Sequence, residues 1–196
     1  MVDALLVQAS LPLRSLDAVA FGAGPGSFTG LRIACGVAQG LAAGAGIVTI
    51  GVGTLLAIAQ AARAPRVFAC LDARMGEIYC AAFERSAERF SVIHPPQLCT
   101  PDAAPALPGG NWTGAGSGFA VHAEALARRY AGHIDDVQPE LHPRAHEIAV
   151  LGADLLRQGL GVPPELAHPL YLRDHVALTV EERRARSRTE IPEGGR

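Results

Sequence analysis

Leu16-Asp17-Ala18-Val19-Ala20-Phe21-Gly22-Ala23-Gly24-Pro25-Gly26-Ser27-Phe28-Thr29-Gly30-Leu31-Arg32-Ile33 is the stretch that decides the fold of this chain. Leu16 to Phe21 reads as a buried strand, Gly22 to Thr29 as a glycine-rich loop and Gly30 to Leu41 as a helix. Small residues let another molecule approach the backbone, and the helix start offers unpaired N–H groups with a partial positive charge. Gly24, Pro25, Gly26, Ser27, Phe28, Thr29, Gly30 and Arg32 therefore form a candidate loop for an anion or a partner. A P-loop would need a lysine after Gly30, where Leu31 and Arg32 stand. The G-x-G-x-x-G frame fails as well, since its last position falls on Thr29 or Ser27. Pro25 and Thr29 flank Ser27 where a nucleophile elbow needs glycines, so Ser27 or Thr29 is read as a helix N-cap.

Working outward, Ile47 to Val52 repeats the strand-then-helix rhythm of a parallel sheet, and Ala64-Pro65 stops the second helix. Val67 to Leu71 and Ile78 to Phe83 should pair across a turn at Asp72 to Glu77. Phe90 to Cys99 and Trp112 to Gly114 read as further strands, with a proline-rich connector between them. Val121 to Tyr130 and Ala145 to Gln158 read as helices. Glu181 to Arg196 alternates charges with almost no apolar content and is expected to be disordered. The division is an α/β first lobe over residues 1–64, a second lobe over 65–180 and a tail over 181–196. Ala34, Gly36, Ala38, Gly40, Ala42, Ala43 and Gly44 load the first long helix with small residues. Each glycine weakens a helix by about 1 kcal/mol relative to alanine, so close packing is expected, either on the sheet or on a partner helix.

Composition limits the chemistry. With 49% hydrophobic and 18% charged residues the chain should fold as a globular protein. No apolar run reaches the roughly 18 residues of a membrane span and no export signal opens the chain, so the cytoplasm is its expected location. All 17 residues counted as lysine or arginine are arginine, which removes Schiff-base and Walker-lysine chemistry. A net charge of −2 and scattered arginines leave no face for independent nucleic-acid binding. Cys35, Cys70, Cys80 and Cys99 are too widely spaced for a zinc or redox pair and read as buried, reduced thiols. His142 and His146 have the i, i+4 spacing of two metal ligands, but Pro143 and the lack of a third ligand favour a helix start, so no metal is expected. Asp72, Arg74 and Glu77 crowd one turn. Without a nearby histidine they read as a turn held by Asp72 capping and an Arg74–Glu77 ion pair, and no catalytic residue is assigned.

As a whole string, Gly24-Pro25-Gly26-Ser27-Phe28-Thr29-Gly30-Leu31-Arg32-Ile33 resembles the signature of the bacterial TsaB family, also called YeaZ. Leu71 to Tyr79, with Asp72, Arg74, Gly76 and Glu77, looks like the family's second motif. Gly116-Ser117-Gly118 stands where a further glycine turn is expected, and Pro169 to Arg173 looks like the C-terminal motif. The family's opening strand with an Asp-Thr-Ser element, two more strands and half a helix have no counterpart, and Val2 to Val7 match the second half of that helix. A mis-assigned start codon is the expected cause, with a genuine short form as the alternative.

The resemblance implies an actin-like ATPase (ribonuclease H-like) fold of two lobes, the first truncated at its N-terminus. It implies a non-catalytic dimerising subunit that binds and activates TsaD during threonylcarbamoyl transfer to the tRNA adenosine beside the anticodon. TsaE and TsaC would complete the pathway, and a homodimer is the weaker variant. The family's dimer surface places Leu31, Cys35, Gly36 and Gly40 at an interface. No cofactor of its own is implied, although ATP or ADP would fit at the junction with TsaD. The alternatives are a nucleotide-binding phosphotransferase of the same superfamily and a peptidase.

Overall fold

The chain begins with helix α1, Val2–Ala9, and reaches strand β1, Ala18–Gly24. Helix α2, Phe28–Ala45, carries it back to strand β2, Val48–Gly53, which pairs with β1 in parallel, Ala18 opposite Val48 and Gly22 opposite Val52. A parallel pair needs such a crossover. The computed structural model describes residues 2–87 and 89–173, so the tail expected from Glu181 lies outside the described residues. Ser27 caps α2 by accepting from the Gly30 N–H at 3.5 Å, as its sequence position suggests, and Gly46 ends the helix with a left-handed φ of 71°.

Helix α3, Thr54–Ala62, leads into a five-stranded sheet. Strands β3, Arg66–Arg74, and β4, Glu77–Ser86, form the expected hairpin, and β5, Arg89–Cys99, adds to it antiparallel. Met75 and Gly76 both have positive φ, 57° and 76°, as a two-residue hairpin turn between right-twisted strands demands. Strand β6, Trp112–Ala115, lies parallel to β3. The helix expected over Val121 to Tyr130 is broken at His122 into α4, Gly118–Val121, and α5, Ala123–Arg129. Strand β7, Ile134–Gln138, then pairs in parallel with β6. Its Asp135 and Asp136 hide it in the sequence, because an exposed edge strand lacks an apolar run. The order is β5-β4-β3-β6-β7.

One core lies between α3 and the sheet, where Leu55 and Ile58 meet Val67, Ala81 and Phe83. On the other face Phe68, Trp112, Phe119, Leu126 and Tyr130 form the second. Helix α6, Ala145–Arg157, returns to the first sheet and sets Ile148 and Leu151 against Ile50 and Val52, while α2 covers the opposite face through Cys35 and Ala38 on Phe21. Both faces of the parallel pair are thus covered by helices, which explains its unbroken apolar strands. A Cβ at Gly152 would stand 2.7 Å from that of Ala20, so this helix sits closer to β1 than a larger residue allows. Thr49 and Val162 exchange backbone hydrogen bonds of 2.8 and 3.0 Å. Residues 145–167, sequentially in the second part of the chain, therefore pack on the sheet of the first.

The four cysteines are free thiols, three of them buried and Cys99 partly so. Their spacing conceals one proximity: strand pairing brings the Cys80 and Cys99 sulfurs to 3.7 Å.

Candidate functional site

The signature loop is shaped by what lies behind it. Gly24 has a φ of 122°, and a Cβ there would fall 2.5 Å from the Leu170 carbonyl oxygen, so only glycine lets the C-terminal segment run past. Leu170 N–H donates to the Ala23 carbonyl at 2.7 Å. Pro25 is buried, and its carbonyl accepts from the Thr54 hydroxyl. Gly26, Ser27 and Phe28 then turn outward into α2.

Arg32, one turn into α2, is exposed and lies over its aromatic neighbours. Its guanidinium carbon lies 3.9 Å above the Phe28 ring and 6.0 Å from that of Tyr171, and its Nε donates to the Tyr171 hydroxyl at 3.1 Å. Phe28 and Tyr171 face each other at 5.5 Å between centroids, each about 40% exposed. The result is a half-exposed aromatic and guanidinium cluster at the N-terminal end of α2.

The second motif sits across a cleft of about 490 Å³ bounded by Pro25 to Phe28, by Asp72 to Met75 and by Leu170 to Arg173. Asp72 Oδ1 accepts from the Arg74 backbone N–H at 3.1 Å, so the expected turn cap is present. The expected Arg74–Glu77 ion pair is not. Arg74 Nη1 lies 3.3 Å from Asp72 Oδ2, while Glu77 pairs with Arg173 at 2.9 Å. The positive φ of Arg74, 64°, turns its side chain back over Asp72. A histidine is near after all: His122 Nε2 is 3.3 Å from Asp72 Oδ1, both side chains being mostly buried. Fifty residues of separation hid that pair. Arg173 also donates to the Ala73 carbonyl at 2.9 Å, so the segment from Leu170 to Arg173 ties the signature loop to the hairpin. Gly76 serves the turn and Glu77 the tie, and neither lines the cleft.

Of the expected interface positions, Leu31 and Cys35 are corrected. They are 7% and 4% exposed and point inward, with the Cys35 S–H donating to the Ala167 carbonyl and burial raising its pKa above the ordinary 9.0. Four residues apart, they share the buried stripe with Ala38 and Ala42. Gly36 and Gly40 lie on the opposite face with Gly44. A Cβ at any of these three glycines would find nothing within 4 Å outside the helix. Ile33 and Val37, 62% and 52% exposed, share that face. These three glycines therefore do not pack on the sheet, whereas Ala38 and Ala42 do. His142 precedes α6 and His146 lies within it, so they share no helical face. Among the described residues no three His, Cys, Asp or Glu side chains gather as a metal site.

Residues 1–179 match the family described as tRNA N6-adenosine threonylcarbamoyltransferase, TsaD. The tRNA threonylcarbamoyladenosine biosynthesis protein TsaB of Escherichia coli (strain K12) is 35% identical over 187 residues, covering 90% of this chain and 79% of that protein. The chain belongs to the TsaB (YeaZ) family. The protein of the same name from Haemophilus influenzae is 38% identical over 145 residues, 67% of this chain and 61% of its own length. YeaZ from Pseudomonas aeruginosa has the same fold, with a TM-score of 0.80 at 35% identity over 88% of this chain and 81% of that one. The fold is the actin-like, ribonuclease H-like one that the TsaB and TsaD families share. The glycine loop, hairpin motif and C-terminal motif, separate in sequence, are the three walls of one cleft in this TsaB-family chain.

Proposed function

We propose that the chain is a non-catalytic, dimerising subunit that binds and activates TsaD in the cytoplasm during transfer of the threonylcarbamoyl group to the tRNA adenosine beside the anticodon. Family membership supports the pathway, since the relatives are named for tRNA threonylcarbamoyladenosine biosynthesis. The observation that carries the partner-binding role is the open face of α2. Glycines at 36, 40 and 44 weaken the helix by about 1 kcal/mol each with no internal contact in return. Such a groove admits a second helix at close range, and Ile33 and Val37 offer apolar contacts beside it. Phe28, Arg32 and Tyr171 supply, at one end, the residue types that dominate binding energy at interfaces.

A second copy would compete with TsaD for this face, so the homodimer is the resting form. TsaE would join the assembled complex, TsaC would act earlier in the pathway, and ATP or ADP would lie at the junction with TsaD. Catalytic groups would come from TsaD. Size-exclusion chromatography with light scattering on the chain alone and with TsaD tests this. A mixed complex that forms at the expense of the homodimer and is lost on Gly40→Leu supports the proposal. No complex with TsaD, or one indifferent to Gly40→Leu, overturns it.

A further inference from the structure

On one face of the second sheet, three thiols form a row across three strands. Cys70 on β3 is directly opposite Cys80 on β4, and Cys99 closes β5 diagonally beyond it, Cys80 facing Gln97 and Ile78 facing Cys99 in the ladder. Only one pair is in contact: the Cys80 and Cys99 sulfurs are 3.7 Å apart. The ladder is irregular just there, between Cys80 and Ala82, so neighbouring side chains depart from regular pairing. Cys80 is fully buried, whereas Cys99 is partly exposed at the end of the sheet's edge strand. Cys70 is fully buried beside Gly118, where an added Cβ would fall 2.1 Å from its sulfur.

We infer that Cys80 and Cys99 form a reversible disulfide when the protein meets a hydroperoxide, with Cys99 reacting first. Exposure and contact fix the order. The Cys99 thiolate attacks one peroxide oxygen, the O–O bond breaks, and the alkoxide leaves and takes up a proton, which gives a sulfenic acid at Cys99. The Cys80 sulfur then attacks the Cys99 sulfur, the S–O bond breaks, and hydroxide leaves with the Cys80 proton as water. Two thiols are oxidised, and one hydroperoxide is reduced to an alcohol and water. The hydrogen bond between the two sulfurs lowers the pKa of Cys99 below its ordinary 9.0 and favours the attacking thiolate. The same hydrogen bond and burial raise that of Cys80, which keeps it protonated until Cys99 has reacted. The Gln97 side-chain amide, 3.9 Å from the Cys80 sulfur, is placed to stabilise the charge that builds there in the second step. A disulfide needs the sulfurs at about 2.0 Å, a closure that rotation of the partly exposed Cys99 side chain can supply. The bond pins the end of β5, where the chain leaves for Pro101.

The test uses the full reduced chain, exposed to equimolar hydrogen peroxide, quenched with catalase, unfolded and alkylated with N-ethylmaleimide. The expected product is lighter by about 2 Da before alkylation, keeps only Cys35 and Cys70 open to alkylation, and returns to four open thiols with dithiothreitol. Trypsin cuts after Arg66, Arg74, Arg85, Arg89 and Arg128, so the three thiols of the row fall in separate peptides and the cross-link identifies itself. In Cys99→Ser, whose fold is checked by circular dichroism, the three remaining thiols stay alkylatable. A cross-link that includes Cys70, stepwise oxygen addition at Cys99 without a cross-link, or loss of two thiols in Cys99→Ser overturns the inference.

Discussion

Replacing Gly36 and Gly40 of α2 by alanine distinguishes a helix built to receive a partner from one that packs only on its own sheet. An added methyl at either position meets no atom within 4 Å outside the helix. Nothing clashes in the isolated chain, and each substitution recovers about 1 kcal/mol of helix propensity, in part by narrowing the unfolded ensemble. Each effect taken on its own, the two sum to about 2 kcal/mol. For a chain of this size about 1 kcal/mol moves Tm by roughly 2–4 °C, so the double variant should melt roughly 4–8 °C higher. Against TsaD the same methyls occupy the space in which a second helix approaches. Overpacking a close contact costs about 1–3 kcal/mol, which weakens binding by about 5- to 150-fold. Thermal melting of the free chain and isothermal titration with TsaD read the two effects separately. A lower Tm would show that the glycines serve internal packing. A higher Tm with unchanged affinity would show that the face is not the contact surface, and either result refutes the reasoning.

Gly116→Ala should destabilise the fold by more than about 2 kcal/mol in urea, because its φ is 104° and its Cβ would fall 2.5 Å from the Cys70 carbonyl oxygen; an unchanged midpoint contradicts this. Arg173→Ala and Glu77→Ala, alone and together, should show a coupling of about 1 kcal/mol in a double-mutant cycle, and zero coupling would mean that the 2.9 Å pair does not hold the C-terminal segment to the hairpin. Alkaline pH should unfold the protein. Burial raises the Cys70 thiol above its ordinary 9.0 and the Tyr130 hydroxyl above 10.0, so each stays neutral in the folded chain where it ionises in the unfolded one. Their stabilisation is full below about pH 9 and is lost as pH rises past the unfolded values, at about 1.4 kcal/mol per pH unit for each group, with Cys80 acting in the same sense and its partner Cys99 in the opposite one. A urea midpoint that stays flat from about pH 8 to pH 11 would count against that burial.

The local elements were legible because each announces itself within a few residues. Ser27 before an apolar-periodic run, the Asp72 to Glu77 turn between two apolar runs, and the proline after Ala64 each set one boundary. Where an element depends on distant neighbours the pattern failed. Strand β7 exists because β6 offers it a parallel partner, and its acidic residues point to solvent, so no apolar alternation betrays it. The break at His122 has a similar origin. The imidazole is drawn to Asp72, on β3, while the flanking Phe119 and Leu126 enter the core on either side.

The sequence by itself determined the α/β rhythm, the signature loop with its capped helix, the hairpin, and through its motifs the family. Those are short-range properties of propensity, capping and turn chemistry. Only the tertiary structure decided which small residues of α2 face outward, since Leu31, Cys35, Gly36 and Gly40 read alike until the sheet and Ala167 claim one side of the helix. It alone exchanged the expected partner of Glu77 for Arg173, set His122 on Asp72 and joined the Cys80 and Cys99 sulfurs. Each of those contacts spans 19 to 96 residues of chain, a distance that strand register and the return of the C-terminal segment close and that no local pattern encodes.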